Sequence, residues 1–223
     1  MTKAELAQMI DHTNLKAAAD KAAIRKLCDE AAKYKFKSVA INGAQVKRAA
    51  EYLAGTGVKI TCVVGFPLGQ CTTAIKKAEA VEAIANGADE IDYVLNIGDL
   101  KDGRLKAVRR EMEILTELCH SKKTGVKVIF ENCYLTDAEK VAVAEIAREV
   151  KPDFVKTSTG FGTGGATIDD VRLMKSTVGD EVSVKAAGGI RDLAAAMAMI
   201  EAGATRLGTS SGVKIIEEFE GSN

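Results

Sequence analysis

The chain has no tryptophan, only two prolines and only two histidines, His12 and His120, among 223 residues. So few histidines exclude a histidine-rich metal site, although carboxylates could still hold a hard cation. Charge of one sign is also missing. Thirty-one Lys and Arg balance thirty-one Asp and Glu, which argues against nucleic acid or an anionic membrane as partner. No apolar run approaches the roughly 18 residues needed to cross a bilayer. Residues 1–11 lack a basic segment followed by an apolar core, so no secretory signal is expected. The five cysteines, Cys28, Cys62, Cys71, Cys119 and Cys133, are widely spaced and never form Cys-x-x-Cys. They read as reduced thiols of a cytoplasmic protein rather than a disulfide framework or zinc ribbon. With 47% hydrophobic and 28% charged residues, the composition is that of a regular folded protein.

What is present is an alternation of short β-branched runs and Ala/Glu/Lys/Leu-rich stretches. Strands are expected at 38–41, 59–64, 90–94, 126–130, 153–156, 182–185 and 205–208, with a short first one at 10–12. A helix is expected over 21–35, where Ile24, Leu27, Cys28 and Ala31 form one apolar stripe behind the cap residue Asp20. Another is expected over 137–149, opened by the capping box of Thr136 and Glu139. Eight units of about 28 residues with no linker predict an α/β fold, a single-domain (β/α)8 TIM barrel over residues 1–223. The related stretches 85–89 and 201–205 fall in units four and eight, as two half-barrels require. Gly-Ala is, however, a common helix-to-strand junction in any fold.

Two lysines carry the chemistry. Lys156 ends one strand and Lys185 the next, at the barrel end where active sites lie. One lysine alone could simply leave the sheet for solvent. Two at equivalent positions suggest a neutral, nucleophilic amine tuned by a second cation, hence Schiff-base chemistry. Asp92 interrupts an apolar strand and needs a cationic or proton-sharing partner. Lys127 also interrupts a strand, nearer its start, where a structural ion pair fits best. A protonated Lys185 about 6 Å from Lys156 would lower its pKa by about two units, with Asp92 pairing Lys185. Two glycine-rich turns, 187–191 and 208–212, follow the last two strands and precede helices. Backbone N–H groups there suit a phosphate. The stretch 160–165 matches G-x-G-x-x-G but lacks an acidic residue at the end of the next strand, so a mobile loop closing over substrate fits better than a dinucleotide site.

Val155 through Phe161 followed by 164–167 resembles the deoxyribose-phosphate aldolase family. So do 11–13, 65–69, 87–92, 185–191 and 206–210, in order from about residue 10 to residue 213. The resemblance implies a class I aldolase of deoxyribonucleotide catabolism, with no metal and no cofactor. Such an enzyme reversibly cleaves 2-deoxy-D-ribose 5-phosphate into glyceraldehyde 3-phosphate and acetaldehyde. It implies Lys156 as Schiff-base nucleophile, with Lys185 and Asp92 in tuning and proton transfer. Thr159, Gly160, Gly188, Gly189, Gly208, Ser210 and Ser211 are implied as substrate and phosphate contacts, and Asp11 and Thr13 at the sugar end of the pocket. A homodimer or larger homo-oligomer is implied as well. Family members often read Ser-Val-Cys-Val-Asn-Pro where this chain has Ser38, Val39, Ala40, Ile41, Asn42 and Gly43, and leucine where it has Asn14. A phosphosugar isomerase would not need the paired lysines, a transaldolase-type enzyme would prefer a longer donor, and a mere phosphosugar binder would need neither lysine.

Overall fold

In the computed structural model, which describes residues 1–221 with side chains through Phe219, the first two-thirds of the chain run α1 (Lys3–Ala7), β1 (Ile10–Thr13), α2 (Lys21–Tyr34), β2 (Ser38–Asn42), α3 (Val46–Leu53), β3 (Lys59–Val64), α4 (Thr73–Ala85), β4 (Glu90–Val94), α5 (Ile97–Lys101), α6 (Leu105–Ser121), β5 (Gly125–Ile129) and α7 (Asp137–Val150). The remainder runs β6 (Phe154–Lys156), α8 (Ile168–Val178), β7 (Ser183–Ala187), α9 (Leu193–Glu201), β8 (Arg206–Thr209) and α10 (Gly212–Gly221). Each strand pairs in parallel with the next, and β8 pairs with β1, closing an eight-stranded barrel. The expected TIM barrel is therefore the observed fold. The expected first strand exists, the fifth begins one residue early at Gly125, and the seventh runs two residues further, to Ala187.

Strand alternation sorts residues between two cores. One face of the strands, including Val39, Ile41, Ile91, Tyr93, Val126 and Val128, packs into the apolar layer beneath the helices. Its alternates on β1, β4, β5, β6, β7 and β8 are Asp11, Glu90, Asp92, Lys127, Lys156, Lys185 and Arg206, all buried. The helices complete the outer layer: in α2 the stripe of Ile24, Leu27, Cys28 and Ala31 is buried, and Asp20 accepts the Ala23 N–H at 2.8 Å. Gly87 and Gly203, which lead into β4 and β8, take φ of 106° and 115°. A Cβ at Gly203 would lie 2.8 Å from Lys175 Cγ, so both junctions of the proposed half-barrels need glycine's positive φ. Among the described residues no helix is long and apolar enough to cross a membrane.

The capping box of α7 is present. Thr136 Oγ1 accepts the Glu139 N–H, and Glu139 Oε2 accepts the Thr136 N–H at 2.7 Å. Glu139 also accepts Lys101 Nζ from α5 at 2.7 Å. Thr136→Ala should cost about 1 kcal/mol of stability, read from the midpoint of urea denaturation. An unchanged midpoint would show that the Lys101 contact alone holds this helix start.

Candidate active site

Lys156 ends β6, and its register partner on β7 is Lys185, whose own partner on β8 is Arg206. Register partners on adjacent strands share a face of the sheet. The three cations therefore form one inward row. Lys185 is not at a strand end, as its sequence context suggested. It sits at the middle of β7, fully buried, with Ala186 and Ala187 continuing the strand beyond it. Lys156 is 3% exposed and lies at the mouth.

Asp92 joins the row from β4. Its Oδ2 accepts both Lys156 Nζ at 2.9 Å and Lys185 Nζ at 2.8 Å, while Oδ1 accepts Lys127 Nζ at 2.8 Å. The expected pairing of Asp92 with Lys185 is present, and the same oxygen also takes Lys156. Lys127 also donates to Glu90 Oε2 at 2.6 Å, which bears out its reading as an ion-paired residue. Asp11 is held by Lys185 and by Arg206 Nη1 at 2.8 Å, and Arg206 reaches Glu90 at 2.9 Å. Thr61 Oγ1, hydrogen-bonded to Ser38, donates to Glu90 at 2.9 Å.

The protonation states follow from these contacts. Burial alone would raise the Asp92 pKa, but Lys127, Lys156 and Lys185 outweigh it and hold the carboxyl well below its usual range. Burial likewise favours neutral Lys127, yet Asp92, Glu90 and Asp11 push its pKa up. Lys156 is different. Burial comes first and lowers it, Asp92 pulls it back up, and Lys185 and Lys127 lower it again, to about 8. Burial, more than the Lys185 charge, makes this amine available.

Around the mouth, Glu131 occupies the left-handed region at the end of β5, with φ 57°. Its carboxylate accepts the Thr159 N–H at 3.1 Å and the Thr159 hydroxyl. The Thr159 side chain thereby anchors its own loop. The glycines of 160–165 serve close approach. A Cβ at Gly162 would stand 2.7 Å from Cys133 Sγ, and one at Gly165 would stand 2.3 Å from the Gly188 carbonyl oxygen. The expected mobile loop is one whose glycines pack against neighbouring chain. At its tip Phe161 meets Phe66 edge to face, ring centroids 5.3 Å apart, while Gly69 packs on Leu95 beyond β4. The loops after β3 and β6 thus roof the sector above β4 and β5.

The other sequence candidates divide. Gly160 and Gly188 lie side by side, with φ of 86° each, and Gly189 has open space where a Cβ would be. Gly208 lies against the Lys185 stem, its would-be Cβ 3.2 Å from Cε. Ser210 is exposed and Ser211 half-buried just before α10, with the Ser211 N–H on Thr209 Oγ1. Thr209 also donates to the Ile190 carbonyl at 2.6 Å, tying the two glycine-rich turns together. The 187–191 turn does not itself open a helix: Asp192 caps α9 with its own carboxylate, accepting the Ala195 N–H. Asp11 lies fully buried beneath Lys185, not in open space, and the Thr13 hydroxyl donates to the Asp11 carbonyl at 2.8 Å. His12 faces the helices, 2.7 Å from Glu30. Ala40 is buried in β2, and a Cβ on Gly43 would only touch Cys62 Sγ at 3.8 Å. The Asn14 side chain accepts the Lys16 N–H at 3.3 Å, a local turn that leucine could not make. Sequence reasoning missed Glu90, Arg206, Glu131 and Thr209. For Glu90 and Arg206 a signal existed: each is a charge within an expected strand, and Glu90 shares the alternation of Asp92.

A family model described as DeoC/LacD family aldolase matches residues 6–218. The chain is 55% identical over 219 residues to the deoxyribose-phosphate aldolase of Thermococcus gammatolerans, covering 97% of each. It is 54% identical to that of Lactobacillus acidophilus, covering 97% of this chain and 91% of the other. Among solved structures it resembles an aldolase called QR15, at TM-score 0.92 and 40% identity, over 97% of this chain and 96% of that one. It also resembles the tetrameric deoxyribose phosphate aldolase of Aeropyrum pernix, at TM-score 0.93 and 33% identity, over 100% of this chain and 94% of that one. Closed barrel, buried lysine pair and near full-length similarity agree, and the chain belongs to the DeoC/LacD family of aldolases.

Proposed function

We propose that this protein is a deoxyribose-phosphate aldolase that cleaves 2-deoxy-D-ribose 5-phosphate through a Schiff base on Lys156. One observation carries the choice of nucleophile. Lys156 is the barrel lysine at the strand end, bound by a single carboxylate oxygen that it shares, whereas Lys185 is gripped by Asp11 and Asp92 at full burial. With a pKa of about 8, about a fifth of Lys156 is neutral near pH 7.4, against about one in a thousand for free lysine.

The neutral amine attacks the C1 carbonyl of the open-chain sugar. Loss of water leaves an iminium ion. Removal of the proton from the C3 hydroxyl breaks the C2–C3 bond, and its electron pair moves into the iminium to give an enamine. Glyceraldehyde 3-phosphate departs. Protonation of the enamine carbon and hydrolysis release acetaldehyde and restore Lys156. Asp92 spans Lys156 and Lys185 on one oxygen, so it can pass protons between the reacting amine and the second lysine. Gly160, Gly188, Gly189, Ser210 and Ser211 are assigned to the phosphate, where Gly160 and Gly189 leave open space beside the backbone. We also read the enzyme as a cytoplasmic homo-oligomer. Its five cysteines are all free thiols, and the tetrameric Aeropyrum relative supports assembly.

Incubation with acetaldehyde and borohydride should place a reduced adduct on Lys156 by peptide mass. Lys156→Ala should abolish both adduct and turnover without unfolding the protein; an adduct on Lys185 would reverse the assignment. Turnover should also persist in EDTA, because the iminium supplies the electron sink. Separately, Asp92→Asn leaves three buried ammonium groups short of a carboxylate. It should cost about 3–5 kcal/mol in urea denaturation. A loss below about 1 kcal/mol would mean that water, not Asp92, compensates these charges.

A further inference from the structure

Glu90 and Arg206 face each other at the bottom of the barrel interior, Nη1 to Oε2 at 2.9 Å and Nη2 to Oε1 at 3.3 Å, and neither touches Lys156. Both are buried, and Arg206 stacks over the Phe154 ring at 4.9 Å. Two hydrogen-bonded routes lead from them to the mouth. One runs from Arg206 through Asp11, Lys185 and Asp92 Oδ2 to Lys156. The other runs from Glu90 through Lys127 and Asp92 to the same amine.

The charged groups that face Lys156 inside the barrel are Asp11 from β1, Glu90 and Asp92 from β4, Lys127 from β5, Lys185 from β7 and Arg206 from β8. The hydroxyls of Ser38 and Thr61, from β2 and β3, add no charge. Glu131, just past β5, is engaged by Thr159. Among the described residues no ion pair joins Glu131 to this cluster, and within the cluster, with every group ionised, four cations stand against three carboxylates. One proton must leave for the interior to be neutral. Arg206 cannot release one. Lys127 and Lys185 each touch two carboxylates, and Lys156 touches one that it shares.

We propose that Glu90 and Arg206 are positioning residues for the aldol reaction: as a matched pair they cancel each other's charge and hold Asp11 and Lys127 in place, so that the one excess cation stays with Lys156, the group that gives up its proton. The proposal deepens the assignment of Lys156 as nucleophile and rests on that reading. It requires opposite effects from two neutralising changes. Arg206→Met leaves three cations against three carboxylates and keeps Lys156 charged to higher pH. Glu90→Gln leaves four against two and drives the proton off at lower pH. At an effective dielectric near 20, a unit charge about 10 Å away moves a pKa by about one unit. Arg206→Lys keeps the charge, and so the count.

The test is competitive acylation of Lys156 with acetic anhydride across pH 6 to 11, read by peptide mass, in wild type and the three variants. It reports the neutral amine without requiring turnover. Trapping of the acetaldehyde adduct with borohydride is measured beside it. The acylation midpoint should rise by about one pH unit in Arg206→Met, fall by about one in Glu90→Gln and stay near wild type in Arg206→Lys. If Arg206→Met does not fold, by circular dichroism, the downward shift in Glu90→Gln decides. Midpoints that stay put, or move the same way in both neutral variants, would overturn the proposal. Shifts of the expected sign in a wild type and variants that trap no adduct would leave the charge count standing and instead overturn Lys156 as the Schiff-base residue.

Discussion

Everything at this site depends on a charge imbalance sealed inside a barrel. Moving a single ion from water into a dry protein interior costs several kcal/mol even after relaxation. This interior holds Lys127, Lys156, Lys185 and Arg206 against Asp11, Glu90 and Asp92. Such a set is tolerable only as a network in which nearly every donor meets an acceptor. Three of the cations are satisfied twice over. The fourth is not, and it stands at the mouth. The amine proposed as nucleophile is therefore the remainder of a structural balance.

The price of that balance falls on the barrel's inner face. TIM barrels usually fill their interior with layers of branched apolar side chains. Here the lower layers are ionic, so apolar stabilisation comes from the other face of the strands and the helix stripes against it. This division accounts for the linkage between pH and folding at Lys156. Its pKa is lowered on folding, to about 8. Below that value both the folded and unfolded chains hold the proton. Between about 8 and the ordinary lysine value, the unfolded chain holds a proton that the folded one has released, so this residue's contribution to stability rises with pH across that window.

Much of this was legible from sequence where local rules decide the outcome. Asp20 and Thr136 cap helices because their side chains reach backbone donors three residues on, and Glu139 reaches the donor three residues back, relations visible in any window. The strands were legible because β-branched runs alternate with helical spacing. Lys156 and Asp92 were legible because a charge inside an apolar run calls for a partner. The partner itself was not. Asp92 meets Lys127, Lys156 and Lys185 because three strands present those residues to the same interior, Lys127 level with Asp92 and the other two a step further along, and register between strands is a tertiary property. The depth of Lys185 was hidden too, since β7 continues through Ala186 and Ala187, residues with weak strand preference that the barrel holds extended. The Asp192 cap shows the same limit from the other side: a glycine-rich turn near a helix start reads as an anion site until a neighbouring carboxylate is seen to fill that helix terminus.

The roof over β4 and β5 completes the logic of the mouth. The Phe66–Phe161 contact joins loops from strands three apart, and the glycines beside those rings let each loop lie directly on backbone or on Cys133. A side chain at Gly69 or Gly165 would push the loops off their supports, since would-be Cβ atoms there come within 2.3 Å of a carbonyl oxygen. The roofed sector contains Asp92, the carboxylate on which the lysines converge. Keeping bulk water away from that oxygen preserves the low dielectric on which the charge balance acts. At Gly160 and Gly189, by contrast, bare backbone meets open space. A charged, hydrated substrate group can be held there without entering the ionic interior. On the proposed reading, the mouth is thus divided between a side kept dry around the Lys156 amine and a side of open glycine backbone that suits a phosphate.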